Sequence, residues 1–147
     1  MTTIAKLLKY DFAKGSLSLF DSNGNQTYFE NSDKHWYKYE SDSNGKRIYY
    51  ENSTGYWSKK EYDSNGNRTY YEDSTGYWYK KEFDSNGKET YHESSTGFWS
   101  KREFDSNGKE TYFENSNGTI RDNRPKENCN GKTVTIDGIE YELKAKK

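Results

Sequence analysis

The sequence predicts an all-β protein: tandem 21-residue β-hairpin repeats forming an elongated, twisted antiparallel meander sheet, followed by a separate C-terminal β-hairpin. Three observations carry this. The Asn-Gly glycines Gly24, Gly45, Gly66, Gly87 and Gly108 recur every 21 residues. A second series, Gly55, Gly76, Gly97 and Gly118, keeps the same spacing, with Lys34 at the first copy's equivalent position. Tyr28, Tyr49, Tyr70, Tyr91 and Tyr112 fill one column, and all four tryptophans, Trp36, Trp57, Trp78 and Trp99, fill another.

One whole unit runs from Glu61 to Glu82. It reads strand, turn, strand, turn, because short runs of Tyr, Trp, Phe and Thr suit a pleated surface and flank two glycine turns. The odd period sets a constraint. Side chains alternate faces with period two, so identical columns stay on one face only if each unit holds an odd-length loop or a β-bulge. Ser64-Asn65-Gly66 followed by Asn67 fits a three-residue loop with glycine at the left-handed position. One irregularity per repeat is expected.

Within the second strand of the unit, Trp78, Lys80 and Glu82 share one face, and Tyr77, Tyr79, Lys81 and Phe83 the other. Both faces carry aromatics, unlike a sheet with one dry and one wet side. Three architectures fit: a single-layer sheet with aromatic ladders on both sides, a sheet curled around one face, or a sheet buried against a partner.

In chain order, residues 1–20 form an N-terminal cap. Positions 2–12 within it fit either a short helix or a first strand, and Ser16 to Phe20 alternates like a strand entering the first turn. Residues 21–120 hold five tandem repeats, the last decaying at Thr119-Ile120. Residues 121–131 are a polar connector with the only proline, Pro125, and the only cysteine, Cys129. Residues 132–147 form a hairpin around Asp137-Gly138. A two-residue turn there pairs Ile136 with Ile139 and Val134 with Tyr141, and gathers the apolar residues on one face. An isolated hairpin is marginal in water, so this one is expected to dock, most simply as a cap on the last repeat.

Composition narrows the function. The chain is one domain long at 147 residues, and its mean hydropathy of −1.44 would by itself suggest disorder. The 18% aromatic content supplies the missing burial. With 23 basic and 24 acidic residues, the charge balance gives neither a nucleic-acid footprint nor an acidic mimic of one. The apolar stretch near the N-terminus is too short for a signal peptide or a membrane span, and a single cysteine fits a reducing interior. Together these predict a cytoplasmic protein with no nucleic-acid or membrane partner.

No catalytic constellation stands out. The Asp-Ser-Asn-Gly segments resemble calcium loops only superficially, because the twelfth residue from Asp63 is Ser74, not a bidentate glutamate. Asp and Ser are turn residues in their own right. The glutamate columns beside Lys38, Lys59, Lys80 and Lys101 are expected to form cross-strand ion pairs. A glycosidase would need one unequal carboxylate pair in a pocket, and here every copy presents the same groups. His35 and His92 stand in different columns, which gives no metal set. The chain is read as a non-enzyme without cofactor or metal.

Tyr62-Asp63-Ser64-Asn65-Gly66-Asn67, with its 21-residue spacing and its copies at Phe83-Asp84 and Phe104-Asp105, resembles the YD repeats of Rhs-type proteins. That resemblance implies tandem hairpins in a spiralling sheet. Gly55-Tyr56-Trp57 and Gly76-Tyr77-Trp78 also look like choline- and glucan-binding repeats. A small, repetitive, tyrosine-rich chain with a terminal hairpin is in addition similar to phage accessory proteins.

The expected function is a non-enzymatic protein-binding module, with Trp36, Trp57, Trp78, Trp99, Tyr56, Tyr77 and Phe98 as the binding residues. The phage likeness implies an inhibitor of a host defence protein, comparable to anti-CRISPR proteins, acting in the host cytoplasm. The alternatives are a carbohydrate- or cell-wall-binding module using the same aromatics and a structural protein that assembles with its own copies edge to edge.

Overall fold

The computed structural model of the protein describes residues 2–125 and 131–144. Residues 126–130 of the expected connector, Cys129 included, and the last three residues lie outside them. The strands are β1 (Leu17–Phe20), β2 (Gln26–Glu30), β3 (Trp36–Ser41), β4 (Arg47–Asn52), β5 (Trp57–Tyr62), β6 (Arg68–Asp73), β7 (Trp78–Phe83), β8 (Glu89–Ser94), β9 (Trp99–Phe104), β10 (Glu110–Asn115) and β11 (Ile120–Asp122). They form one antiparallel sheet of 11 strands in sequence order, a meander. Within the chain it carries aromatics on both sides. β12 (Thr133–Ile136) and β13 (Ile139–Glu142) form a separate two-stranded sheet.

Both turns of each repeat are three-residue loops. In the first, the Gly66 N–H donates to the Asp63 carbonyl at 3.0 Å, and the Asp63 N–H donates to the Asn67 carbonyl at 3.0 Å. Gly66 takes φ +85°, a left-handed value that glycine reaches without steric cost. The Asp63 carboxylate is used up by its own loop: one oxygen accepts from the N–H groups of Asn65 and Asn67, the other from the Asn67 side chain. The second loop repeats the pattern with Asp73, whose carboxylate accepts from Thr75 and from the Tyr71 hydroxyl.

The expected irregularity is a β-bulge, and it follows the Asn-Gly turn. Tyr62 pairs with Arg68 and Glu61 with Tyr70, so Thr69 has no partner opposite it. The same skip falls at Thr27, Ile48, Thr90 and Thr111. At Thr27 and Thr111 the side-chain hydroxyl donates to a neighbouring strand's carbonyl, of Leu19 and Glu103, at 3.3 and 3.2 Å. The bulge keeps every column on its face. Lys59 lies opposite Glu72, and Glu72 opposite Trp78, whereas the residue one period on from Lys59 is Lys80. Successive repeats are therefore offset by two residues, about 7 Å along the strand at ~3.3 Å per residue.

Residues 4–8 resolve the N-terminal alternative as a helix, α1 (Ile4–Leu8), followed by a single 3₁₀ turn at Phe12–Lys14. Thr3 caps the start of α1, and Lys9 ends it in the left-handed conformation. The helix lies on the tryptophan side of the first repeat, where Ala5, Leu17 and Tyr28 form a buried cluster with Ile4, Tyr10, Phe12, Leu19 and Trp36 around it. The buried Glu30 carboxylate links helix to sheet by accepting from the Ala5 N–H at 3.0 Å and the Tyr28 hydroxyl at 2.8 Å.

The C-terminal hairpin has the predicted register, with Ile136 opposite Ile139 and Val134 opposite Tyr141, across a turn with Asp137 at φ 52° and Gly138 at φ 81°. It does not cap the last repeat as expected. Ile136 and Ile139 are 54% and 58% exposed, and Ile120 at the sheet's end is 61% exposed. The last sheet strand also runs on to Asp122, two residues into the expected connector. Among the described residues, no helix is long and apolar enough to cross a membrane.

Candidate functional site

The seven residues singled out in the sequence do not lie on one surface. Trp36, Trp57, Trp78 and Trp99 each open a strand on one face, opposite Glu30, Glu51, Glu72 and Glu93. Tyr56, Tyr77 and Phe98 follow the loop glycines and contact the other face, through Tyr50, Tyr71 and Tyr79, and His92 respectively. The sheet presents two different surfaces.

The tryptophan face is regular. Across adjacent strands it reads Glu40, Tyr49, Lys59, Glu72, Trp78, and one period later Glu61, Tyr70, Lys80, Glu93, Trp99. Along each strand of the tyrosine column, the hydroxyl donates to the glutamate two residues on: Tyr49 to Glu51 at 3.3 Å, Tyr70 to Glu72 at 3.0 Å, Tyr112 to Glu114 at 2.7 Å. Burial and these carboxylates push the phenols of Tyr49 and Tyr70 above their ordinary range. The expected cross-strand Lys–Glu ion pairs are in register here but do not close. Among the described residues the only lysine contact within ion-pair distance on this face of the repeats is along one strand, from Lys38 to Glu40 at 3.1 Å. With its glutamates held by tyrosines, the column leaves its lysines in water. Beside α1, Trp36 stacks on Tyr28 at 6.4 Å and lines a cavity of about 460 Å³ with Ile4, Leu19, Lys38 and Glu51.

The tyrosine face carries a continuous ladder. Ring contacts of 5.6–6.4 Å join Phe29, Tyr37, Tyr39, Tyr50 and Tyr56. The Tyr56 hydroxyl then meets that of Tyr71 at 3.0 Å. From there the contacts run through Tyr77 and Tyr79 to His92 and Phe98 at 5.6–6.2 Å. The Tyr71 hydroxyl donates to Asp73 at 3.0 Å, so the Tyr56 hydroxyl is the donor between the two phenols. The hydrogen bond with Tyr56, burial and the Asp73 carboxylate hold the Tyr71 phenol far above its ordinary range. Tyr79 is buried at 8% exposure, whereas Tyr77 is 40% exposed. The ladder thus has a packed base and an accessible rim.

The bulge adds a second set of residues to this face. Arg47 and Arg68 come just before the bulge and project among the tyrosines, with the Arg47 guanidinium 3.6 Å from the Tyr39 ring centroid and that of Arg68 5.2 Å from the Tyr79 ring centroid. In later repeats the same column is Glu89 and Glu110. Glu89 bridges Lys81 at 2.8 Å and Arg102 at 2.9 Å, and Glu110 pairs with Arg121 at 2.9 Å. Sequence reasoning missed these residues, because regular alternation places Arg68 with Tyr70 rather than with Tyr71. The change from Arg to Glu between the third and fourth copies, Arg68 to Glu89, is visible in the sequence once the bulge is located.

Set against protein-family models and against curated protein sequences, the chain matches none of them.

Proposed function

We propose that the protein is a non-enzymatic binding module that offers its tyrosine face to a protein partner. The observation that carries this reading is the unbroken ladder from Phe29 to Phe98, with a rim reaching 40% exposure at Tyr77 and arginines over the rings. Tyrosine and arginine supply large, stiff contact area at low entropy cost and dominate binding hot spots. The likeness to small phage accessory proteins makes a bacterial defence protein the first partner class to present, with inhibition as the outcome.

The test is affinity capture of the tagged protein from bacterial lysate, with mass spectrometry, then binding measurements on the partner retained. Tyr77→Ala is expected to weaken binding by about 2 kcal/mol at an unchanged melting temperature, and Trp78→Ala on the opposite face to leave it intact. Loss with Trp78→Ala alone would move the surface to the other side of the sheet.

A second reading, glycan binding, is favoured by one feature, the cavity of about 460 Å³ walled by Trp36 with Lys38 and Glu51 at hand. It predicts quenching of tryptophan fluorescence by cell-wall oligosaccharides, lost in Trp36→Phe.

A further inference from the structure

The charges of the tyrosine face follow a lattice, and one cell of it holds no carboxylate. Each cell takes a residue just before a bulge, the cation of the next strand, and the pre-bulge residue one period on. The third cell is Glu89, Arg102 and Glu110, and the second is Arg68, Lys81 and Glu89. In both, a carboxylate lies within 2.9 Å of the central cation: Glu89 on Lys81 at 2.8 Å and on Arg102 at 2.9 Å. The first cell is Arg47, Lys60 and Arg68, three cations on the adjacent strands β4, β5 and β6. Among the described residues none of the three has a carboxylate within ion-pair distance. The charges that act on the Lys60 ammonium are those of Arg68 and Arg47, and together with its burial, the largest cause, they push its pKa below the ordinary value. Asp73, on the same face, is occupied by Thr75 and Tyr71. Both arginines are exposed, and Lys60 is half-buried between them.

We propose that Arg47, Lys60 and Arg68 form a docking site for the carboxylates of an acidic segment of a protein partner, which supplies Lys60 with the anion that Glu89 supplies to Lys81 one period later. This rests on the reading that the tyrosine face binds protein, and it names the chemistry of what binds there. In the later cells a carboxylate beside the central cation is the observed partner, Glu89 on Lys81 and on Arg102, and the first cell offers Lys60 none. A long polyanion such as nucleic acid would run from this cell onto Glu89 and Glu110, where repulsion opposes it. Tyr39, Tyr71 and Tyr79 border the cations, so an acidic segment carrying an apolar residue beside its carboxylates gains ring contacts as well.

The experiment is titration of an acetylated oligo-glutamate peptide into the full chain at low ionic strength, with a thymidine oligonucleotide of equal charge and inorganic phosphate as comparators. The peptide is expected to bind saturably, more tightly than either comparator, and to shift resonances of Tyr39, Tyr71 and Tyr79. Arg68→Glu copies the next repeat and supplies an internal carboxylate for Lys60. It is expected to weaken peptide binding about tenfold or more while keeping or raising the melting temperature. Arg68→Gln, which adds no charge, serves as the second variant and is expected to weaken it less. Unchanged peptide affinity in both variants overturns the site, and tighter binding of the oligonucleotide overturns its assignment to an acidic protein segment. The two readings fail separately. A captured partner held equally well by wild type and Arg68→Glu removes the docking site alone, whereas peptide binding with no partner retained by the tyrosine face removes the protein-binding reading.

Discussion

The Arg68 guanidinium lies 5.4 Å from the centroid of the Tyr71 ring, on the same face of the sheet, although a three-residue spacing on a regular strand would put them on opposite faces. Thr69 between them is the bulged residue, paired with nothing across the strand. Deleting it is the sharpest test of the repeat's construction. The downstream columns would then change faces relative to the upstream ones, and cross-strand pairs worth roughly 0.2–1 kcal/mol each would be lost over several positions. A loss of about 2 kcal/mol or more by chemical denaturation is expected, against less than about 1 kcal/mol for Thr69→Ala. Equal, small effects would mean that the loops absorb the parity change instead.

Lys34 sits where the other copies of the second turn have glycine, and it adopts φ 64°. Its N–H still donates to the Asn31 carbonyl at 3.1 Å, as Gly55 does to Asn52 at 3.0 Å. A side chain in this conformation costs about 1 kcal/mol. Lys34→Gly is therefore expected to stabilise the protein by up to about 1 kcal/mol, after glycine's extra entropy in the unfolded chain is subtracted. Gly76→Ala should do the reverse, because Gly76 has φ +84° and nothing near its missing Cβ, so that only backbone strain is changed. Melting temperatures of the two variants, moving in opposite directions, check the pair.

How much of this was legible in the sequence depends on the range of each interaction. The period, the loop type, the presence of one irregularity per repeat and the register of the Asp137-Gly138 hairpin are local, set by glycines at positive φ and by two-residue alternation, and they read directly. Which turn carries the bulge is not written in the residue type, because the skipped position is threonine in four copies and Ile48 in the other, and among these described residues only Thr27 and Thr111 bond a carbonyl across the strand. Helix α1 has only five residues, too short for a periodic signal, and one of its ties is to Glu30, 25 residues away. The candidate site suffered most. Alternation already separates Trp78 from Tyr77, but it does not show which of the two faces gathers the cations. Arg47 and Lys60 belong together only because the bulge turns Arg47 over.

Tyr28 gives the fold an alkaline limit. Burial and the Glu30 carboxylate push its phenol up to about 12 from an ordinary 10.0. The folded state thus holds this proton more tightly than the unfolded chain does. The associated stability is fully present below pH 10.0 and is lost as the pH rises from there through about 12. Two units correspond to roughly 2–3 kcal/mol. Denaturation midpoints should fall steeply over that window in the wild type and more gently in Tyr28→Phe. Identical slopes would show that Tyr28 ionises freely in the folded protein.

Glu89 limits the fold from the acid side and tests the charge lattice from within. Burial alone would raise its pKa, but hydrogen bonds and charges from Lys81 and Arg102 outweigh that and lower it from the ordinary 4.5. A carboxyl held down in this way adds stability that is present above pH 4.5 and disappears as the pH falls through its folded value. Glu89→Gln should remove this acid dependence and cost about 1–2 kcal/mol near neutrality, because Lys81 and Arg102 lose the anion between them. The same substitution leaves Lys81, like Lys60, without a carboxylate beside it. It should therefore gain affinity for an oligo-glutamate peptide while losing stability, the mirror image of Arg68→Glu. Opposite signs in the two variants, read by denaturation and by peptide titration on the same samples, would establish that one carboxylate position in the repeat serves either folding or binding. Two variants that merely destabilise, with peptide affinity unmoved, would reduce the column to packing.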